Sequence, residues 1–232
     1  MQTQSQGLRR LGLVSILGSI LCVILTPLSA SIWNYGENWE SATLLVRFAG
    51  PLLERGGFLT FGTPPVVYYT YGRIFFLVYL FMLIGLVAFH KVTAASVATS
   101  VKNVNARYGV LVIGLGIGFI ADFGAYWGNN ISASEFTTLQ AVAFTIEMGA
   151  LIFVLAGSVL YGRAILRAKI VPAWAAWLLI LAGPVGAWWT CGIVGYIPHG
   201  TMLLFTIAMG VLGYFLWSNR INAPPAIEQG AA

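Results

Sequence analysis

Long apolar runs separated by short polar segments form the main pattern along the chain. A helix needs about 20 mostly apolar residues to cross the hydrocarbon core of a bilayer. Six stretches reach or approach that length, and they lie at about 11–32, 74–89, 108–127, 141–161, 173–197 and 201–217. The sequence therefore predicts an all-α, polytopic membrane protein, with six transmembrane helices in a single bundle over residues 1–217.

Composition supports this prediction and narrows the range of partners. Hydrophobic residues make up 59% of the chain and charged residues 8%, with a mean hydropathy of +0.85, values that soluble domains do not reach. The net charge of +5 is spread over the ends of the apolar runs. A nucleic-acid binder would instead gather its basic residues on one exposed patch. The lipid bilayer is thus the expected environment, and nucleic acid is not an expected partner.

Basic residues indicate the orientation, because cytoplasmic connections of membrane proteins are enriched in Lys and Arg. With the N-terminus inside, three basic residues are external: Arg47, Arg55 and Arg73. Nine are then cytoplasmic: Arg9, Arg10, Lys91, Lys102, Arg107, Arg163, Arg167, Lys169 and Arg220. We therefore expect a protein of the bacterial cytoplasmic membrane with both termini in the cytoplasm, and a disordered cytoplasmic tail at 218–232.

The longest predicted connection, the external loop at 33–73, has a pattern of its own. Between Asn38 and Arg55, polar and apolar residues alternate at helical spacing, which is typical of an amphipathic helix at a membrane interface. Gly56-Gly57 and Pro64-Pro65 then indicate an irregular return path to the next span. Two interpretations are open for the helix, which is either an anchor in the outer interface or a lid over an external cavity.

Asp122 and Glu147 are the only carboxylates inside the predicted spans. A charge near the centre of a bilayer costs from a few to more than about 10 kcal/mol, so such residues usually face the bundle interior and are candidates for function. Both lie in the outer half of their spans, Asp122 roughly 8 Å below the outer end. Because a short loop joins the two spans, we predict one outward-facing site containing both carboxylates. Arg73, Tyr126 and His199 are expected near its mouth.

Two roles are open for this predicted site. In the first role, the carboxylates bind a ligand or exchange protons, as charged residues inside a membrane usually do. Alternatively, Arg73 or a neighbouring hydroxyl satisfies the carboxylates, and the site only fixes helix packing. The G-x-x-x-G pair of Gly114 and Gly118 is a helix-contact signal of low specificity that fits either role.

The other candidate groups are isolated in the sequence. His90 falls at the inner end of the second span and His199 at the outer turn before the sixth, so they cannot ligate the same haem. A metal site at His199 would need further ligands, so the sequence predicts no metal site and indicates no cofactor. Cys22 and Cys191 form no C-x-x-C pair. No nucleophile and base can be placed at one depth, and enzymatic activity is therefore not favoured.

The stretch from Tyr161 to Leu178, YGRAILRAKIVPAWAAWL, combines a basic turn, a proline and an aromatic start to the fifth span. It resembles a recurrent element of an uncharacterised family of bacterial six-helix integral membrane proteins. The resemblance covers a small part of the chain and implies the class of protein alone. It implies no substrate.

Two hypotheses for the function follow. In the first, the protein is a small-molecule binding or transport subunit with an outward-facing polar site, and its layout resembles that of vitamin-uptake substrate subunits in fold only. In the second, it is an accessory or assembly subunit with no activity of its own. Its small-residue helix faces would then dock on a membrane-protein partner or on a second copy of the chain.

Overall fold

The structure is a computed structural model, which describes residues 2–35, 39–130 and 137–221. Within these ranges the chain forms α-helices and no strand: α1 Gln2–Trp33, α2 Leu44–Arg55, α3 Pro64–Ser100, α4 Val104–Trp127, α5 Thr138–Ala168, α6 Ala173–Trp189 and α7 His199–Trp217. Six of these, all except α2, are long and apolar enough to span a membrane. The predicted all-α fold with six spanning helices is confirmed.

Helix α3 extends well beyond the predicted span at 74–89, and it runs from Pro64 to Ser100. Proline is favoured in the first helical turn, where its missing N–H would be unpaired in any case. The Pro64-Pro65 pair, interpreted from sequence as part of an irregular return path, therefore begins the helix instead. The added turns bring Tyr68 and Arg73 onto α3, so they belong to the bundle rather than to the connection before it.

Small residues set the distances between the spanning helices. A methyl group added at Gly114 of α4 would lie 2.8 Å from the backbone nitrogen of Val154 in α5. One added at Gly12 of α1 would lie 2.5 Å from the carbonyl oxygen of Gly213 in α7. Such close approach of backbones is the usual way in which helices pack in lipid, where the hydrophobic effect does not drive association.

Helix α2 confirms the helix predicted between the first two spans, although it begins at Leu44 and the predicted start, Asn38, lies outside the described residues. Val46 and Gly50 are buried, whereas Leu44, Phe48 and Leu52 form an exposed apolar row with i, i+4 spacing. An exposed apolar face on a short helix suits burial in the acyl region near a membrane interface.

The end of α6 is unusual because the helix continues as a π-helical turn, Thr190–Val194. The chain then reverses at Gly195, whose φ of 70° lies in the left-handed region that favours glycine. The Thr190 hydroxyl donates a hydrogen bond to the carbonyl oxygen of Gly186 at 2.8 Å. This turn leads into α7 so that His199, its first residue, points into the bundle and has no exposed surface.

Several sequence predictions concern residues outside the described ranges. They include the predicted start of the interfacial helix at Asn38 and most of the predicted tail at 218–232, since the described chain ends at Ile221. The spanning helices alternate in direction, so that α3, α5 and α7 begin at the end of the bundle where α1, α4 and α6 finish. We call this end the site end.

Candidate functional site

Three ionisable side chains from three helices converge inside the bundle: Asp122 of α4, Glu147 of α5 and His199 of α7. The Nε2 atom of His199 lies 2.9 Å from Oδ1 of Asp122 and 3.5 Å from Oε1 of Glu147. The potential ligand atoms of all three residues lie within 4.8 Å of one another. We call these three residues the buried centre.

The buried centre is closed to solvent. Asp122 and His199 have 0% of their surface exposed and Glu147 has 2%, so no water-sized space touches the aspartate or the imidazole. The ring of Phe75 stacks on the imidazole, with 3.4 Å between ring centroids and 9° between planes. Burying ionisable groups in apolar surroundings costs free energy unless the groups are paired and hydrogen-bonded. Three such groups at one point are therefore candidates for function.

One hydroxyl from α3 completes the immediate surroundings of the carboxylates. Tyr79 donates a hydrogen bond to Oε1 of Glu147 at 2.6 Å. Two atoms of the buried centre nevertheless have no hydrogen-bond partner among the described residues: Oδ2 of Asp122 and Nδ1 of His199. More than about 90% of buried polar groups in proteins are paired, so these two atoms require an explanation.

Three tyrosines form a hydrogen-bonded layer beside the buried centre, and we call Tyr68, Tyr126 and Tyr196 the tyrosine layer. The hydroxyl of Tyr126 donates to that of Tyr68 at 2.8 Å, and the hydroxyls of Tyr68 and Tyr196 are 2.7 Å apart. Gln140 adds a weaker contact from its Nε2 to the Tyr68 hydroxyl at 3.4 Å. Burial raises the pKa of Tyr196, so this side chain stays a neutral phenol and keeps its proton for hydrogen bonding.

The tyrosine layer lies between the buried centre and the site end. Tyr126 is one helical turn beyond Asp122 towards the end of α4, and Tyr68 is near the start of α3. Tyr196 lies between the buried centre and an open cleft. Its ring is 5.4 Å from the imidazole of His199, and it also lines the cleft, which has a volume of about 360 Å³. The other residues lining that cleft are Trp33, Phe144, Thr190, Cys191, Gly195 and Ile197.

The guanidinium of Arg73 binds backbone carbonyl groups at the end of α4. Its Nε donates to the carbonyl oxygen of Tyr126 at 3.1 Å, and its Nη2 donates to that of Asn129 at 2.7 Å. The guanidinium also lies over the ring of Trp127, 5.1 Å from the centroid. Carbonyls in the last turn of a helix have no intrahelical partner, and a basic side chain satisfies them well.

Of the five residues that the sequence places in one site, the structure brings three into direct contact as the buried centre. Tyr126 lies next to them in the tyrosine layer, with its ring 6.0 Å from that of His199. The hydrogen bonds of Arg73 go to backbone carbonyls, as described above.

Sequence reasoning missed Tyr79 and Phe75, which contact the buried centre from α3. A sequence signal does exist for Tyr79, because a hydroxyl in the middle of an apolar span needs a partner. The structure also shows two glycines that each lie against a tyrosine ring. A methyl group at Gly118 would overlap the ring of Tyr79, and one at Gly72 would overlap that of Tyr126.

A second polar cluster lies towards the opposite end of the bundle. His90 of α3 is hydrogen-bonded through Nδ1 to the Tyr161 hydroxyl at 3.1 Å and through Nε2 to Oδ1 of Asn105 at 3.2 Å. About three helical turns separate His90 from Tyr79 along α3. The inward-facing residues between them, Met82 and Leu86, are apolar and fully buried, so the two clusters are separated by packed side chains.

No protein-family model, curated protein or solved structure matches the chain. A carboxylate pair and an imidazole at these distances can hold a positive ion between them. They can also exchange a proton directly, because Nε2 of His199 lies within hydrogen-bond distance of Oδ1 of Asp122.

Proposed function

We propose that this integral membrane protein binds a small cation at the buried centre and carries it across part of the bilayer, as a binding or transport subunit. One observation carries the proposal: three helices each contribute one cation-binding side chain to a single point inside an apolar bundle. Ionisable groups at such depth are expensive and are a functional site by default.

The charge of the buried centre supports a cation as the ligand. With a neutral imidazole, the two carboxylates of Asp122 and Glu147 would place two negative charges in apolar surroundings. Within the ranges that the structure describes, His199 is the only side chain at salt-bridge distance from either carboxylate. Protons or another cation must supply the remaining positive charge, because an uncompensated buried carboxylate is strongly destabilising.

The space at the buried centre limits the size of the ligand. Because no water-sized space touches Asp122 or His199, the buried centre in this structure has room for a proton or a single ion and for no organic molecule. The size limit therefore restricts the small-molecule ligand predicted from the sequence to a small ion. A subunit that only docks on other proteins has no need for two buried carboxylates, so the site favours binding or transport over the accessory role.

We further propose that the site end faces the outside of a bacterial cytoplasmic membrane, with both termini in the cytoplasm. The distribution of Lys and Arg supports this orientation. The cleft lined by Tyr196 then opens towards the outer side, and the tyrosine layer separates it from the buried centre. A cation would reach His199 from the cleft by displacement of the Tyr196 ring.

Charge displacement on a solid-supported membrane tests the proposed function. Proteoliposomes would receive concentration jumps of H⁺, Na⁺, K⁺ or Zn²⁺, and at least one cation should produce a transient current. Asp122→Asn and Glu147→Gln should each abolish that current. Glu54→Gln on α2 is the matched control, because Glu54 is a carboxylate remote from the buried centre, and its current should equal that of the wild type.

The opposite outcome is equally specific. If none of the four cations moves charge while the protein is recovered with a stoichiometric protein partner in native mass spectrometry from nanodiscs, the cation-binding proposal is wrong. The accessory role would then hold, and the buried centre would be a polar packing contact.

A further inference from the structure

We propose that the cation is a divalent first-row transition-metal ion, bound directly by Asp122, Glu147 and His199. This inference rests on the proposed function, which it narrows to one class of ion. It also assigns Tyr79 a positioning role, since this residue contacts a ligand rather than the ion.

The residue types and their spacing fit such an ion. Imidazole nitrogen and carboxylate oxygen are common ligands of Zn²⁺ and of neighbouring divalent metals. Ligand atoms at the usual Zn²⁺ bond lengths of roughly 2.0–2.1 Å are about 3.3 Å apart across a tetrahedral angle. The separations of 2.9 Å and 3.5 Å from Nε2 of His199 to the two carboxylates bracket that value. An ion at this point would displace the proton that now lies between His199 and Asp122, together with any further proton that neutralises the carboxylates, and the displaced protons would be released to solvent.

Charge balance favours a divalent ion. Two carboxylates, a neutral imidazole and one divalent cation sum to zero, whereas a monovalent cation leaves one negative charge buried against Phe75. Mg²⁺ and Ca²⁺ prefer about six or more oxygen ligands, and Mg²⁺ usually retains several waters. The buried centre offers three side chains, one of them a nitrogen ligand, and no water-sized space beside Asp122 or His199.

The unpartnered Oδ2 of Asp122 points independently to a ligand. This oxygen is fully buried and has no hydrogen-bond partner among the described residues, although it belongs to a carboxylate in the centre of the cluster. A carboxylate that binds an ion through both oxygens would use it and would bring the number of coordinating atoms to four. Structural sites for Zn²⁺ commonly have that number.

Tyr79 holds Glu147 in position from outside the coordination shell. Its hydroxyl donates to Oε1 of Glu147 at 2.6 Å, and an oxygen that accepts this hydrogen bond keeps a second lone pair for an ion. Such partners orient ligands, and their loss typically costs about 10–100-fold in metal affinity. Phe75 restrains the imidazole by stacking, so His199 is oriented without a hydrogen bond at Nδ1.

Metal binding can be measured directly on the full chain in nanodiscs. The protein would be stripped with a chelator, dialysed against Zn²⁺ at near-neutral pH and analysed for metal by mass spectrometry, with Co²⁺ as an optical probe. We expect one equivalent of Zn²⁺ per chain, and visible Co²⁺ absorption bands of a four-coordinate site with nitrogen and oxygen ligands. Asp122→Asn, Glu147→Gln and His199→Gln should each lower the affinity by at least about 100-fold.

Two further variants separate a site from a general loss of structure. His90→Gln removes the other buried histidine and should bind Zn²⁺ as the wild type does. Tyr79→Phe keeps all three ligands and the ring, and its affinity should fall by about 10–100-fold with unchanged Co²⁺ band positions. These two results remain interpretable even if a ligand variant fails to fold.

The proposal is overturned if wild-type protein shows neither saturable Zn²⁺ binding nor Co²⁺ bands. It is also overturned if the three ligand variants fold and bind as tightly as the wild type. The charge-displacement experiment distinguishes this failure from a failure of the proposed function. Currents with proton jumps but no metal binding would leave a proton-binding centre, whereas the absence of both signals would refute both proposals.

Discussion

The Nε2 atom of His199 lies 2.9 Å from Oδ1 of Asp122, although 77 residues separate the two in sequence. Their helices, α7 and α4, share no extended packing interface. Helices α3 and α5 lie between them and pack against both. The contact is therefore a polar link through the interior rather than a by-product of two adjacent helices.

Removal of the imidazole should destabilise the protein. His199→Ala leaves the carboxylates of Asp122 and Glu147 buried without their partner, which typically costs about 3–5 kcal/mol in the free energy of unfolding. Thermal melting in nanodiscs should show a clear decrease in melting temperature. The double variant His199→Ala/Glu147→Gln should recover part of the loss, because one uncompensated charge is removed. Equal melting of His199→Ala and wild type would contradict the ion pair.

Gly72 should be essential for the tyrosine layer. The Cβ of Gly72→Ala would overlap the ring of Tyr126, so the ring must shift and its hydrogen bond to Tyr68 is disturbed, at a cost of about 1–3 kcal/mol for overpacking. Gly116→Ala is the matched control within a spanning helix, since nothing lies within 4 Å of its added methyl group. Melting temperature should fall for the first variant alone, and an equal effect of both would show that the close contact is not limiting.

Tyr196 should control the rate of access to the buried centre and not its affinity. Tyr196→Ala removes the ring between the cleft and His199 and leaves all three proposed ligands in place, so Co²⁺ should bind roughly ten times faster at unchanged equilibrium affinity. Tyr196→Phe keeps the ring and serves as the control. Stopped-flow absorption measures the rate, and equal rates in all three proteins would mean that cations enter by another route.

The orientation can be checked with two cysteine variants in a Cys191→Ser background, where the remaining Cys22 is fully buried. Glu40→Cys lies in the connection between α1 and α2, and Ser100→Cys is at the end of α3, both at exposed positions. A membrane-impermeant maleimide should label the first in intact cells and the second only after permeabilisation. The reverse result would mean that the site end faces the cytoplasm.

The spanning helices could be predicted from sequence because a bilayer imposes one requirement on all of them, a long apolar run. Helix ends follow local chemistry instead. Pro64 begins α3 where the sequence suggested irregular chain, and the π-helical turn at Thr190–Val194 has no hydropathy signal of its own. The length of a helix is therefore harder to predict than its existence.

The buried centre could be predicted in part. Asp122 and Glu147 stand out because a carboxylate in a span is expensive, and their spans are consecutive. The approach of His199 depends on how α7 packs against distant helices, which the sequence of a single chain does not specify. Tyr79 is visible in the sequence as a hydroxyl within an apolar span, but its partner, Glu147, is identified only once α3 is placed beside α5.

The depth of the buried centre has an electrical consequence. Asp122 lies about 8 Å from the end of α4, roughly a quarter of a hydrocarbon core about 30 Å thick. An ion that travels from the site end to this point therefore crosses part of the transmembrane field. For a doubly charged ion, each 100 mV of membrane potential would change the binding free energy by roughly 1 kcal/mol if no proton leaves along the same path, and by less for each proton that does. Occupancy of the centre would thus follow the energised state of the cell, even if the protein never released its ion on the far side.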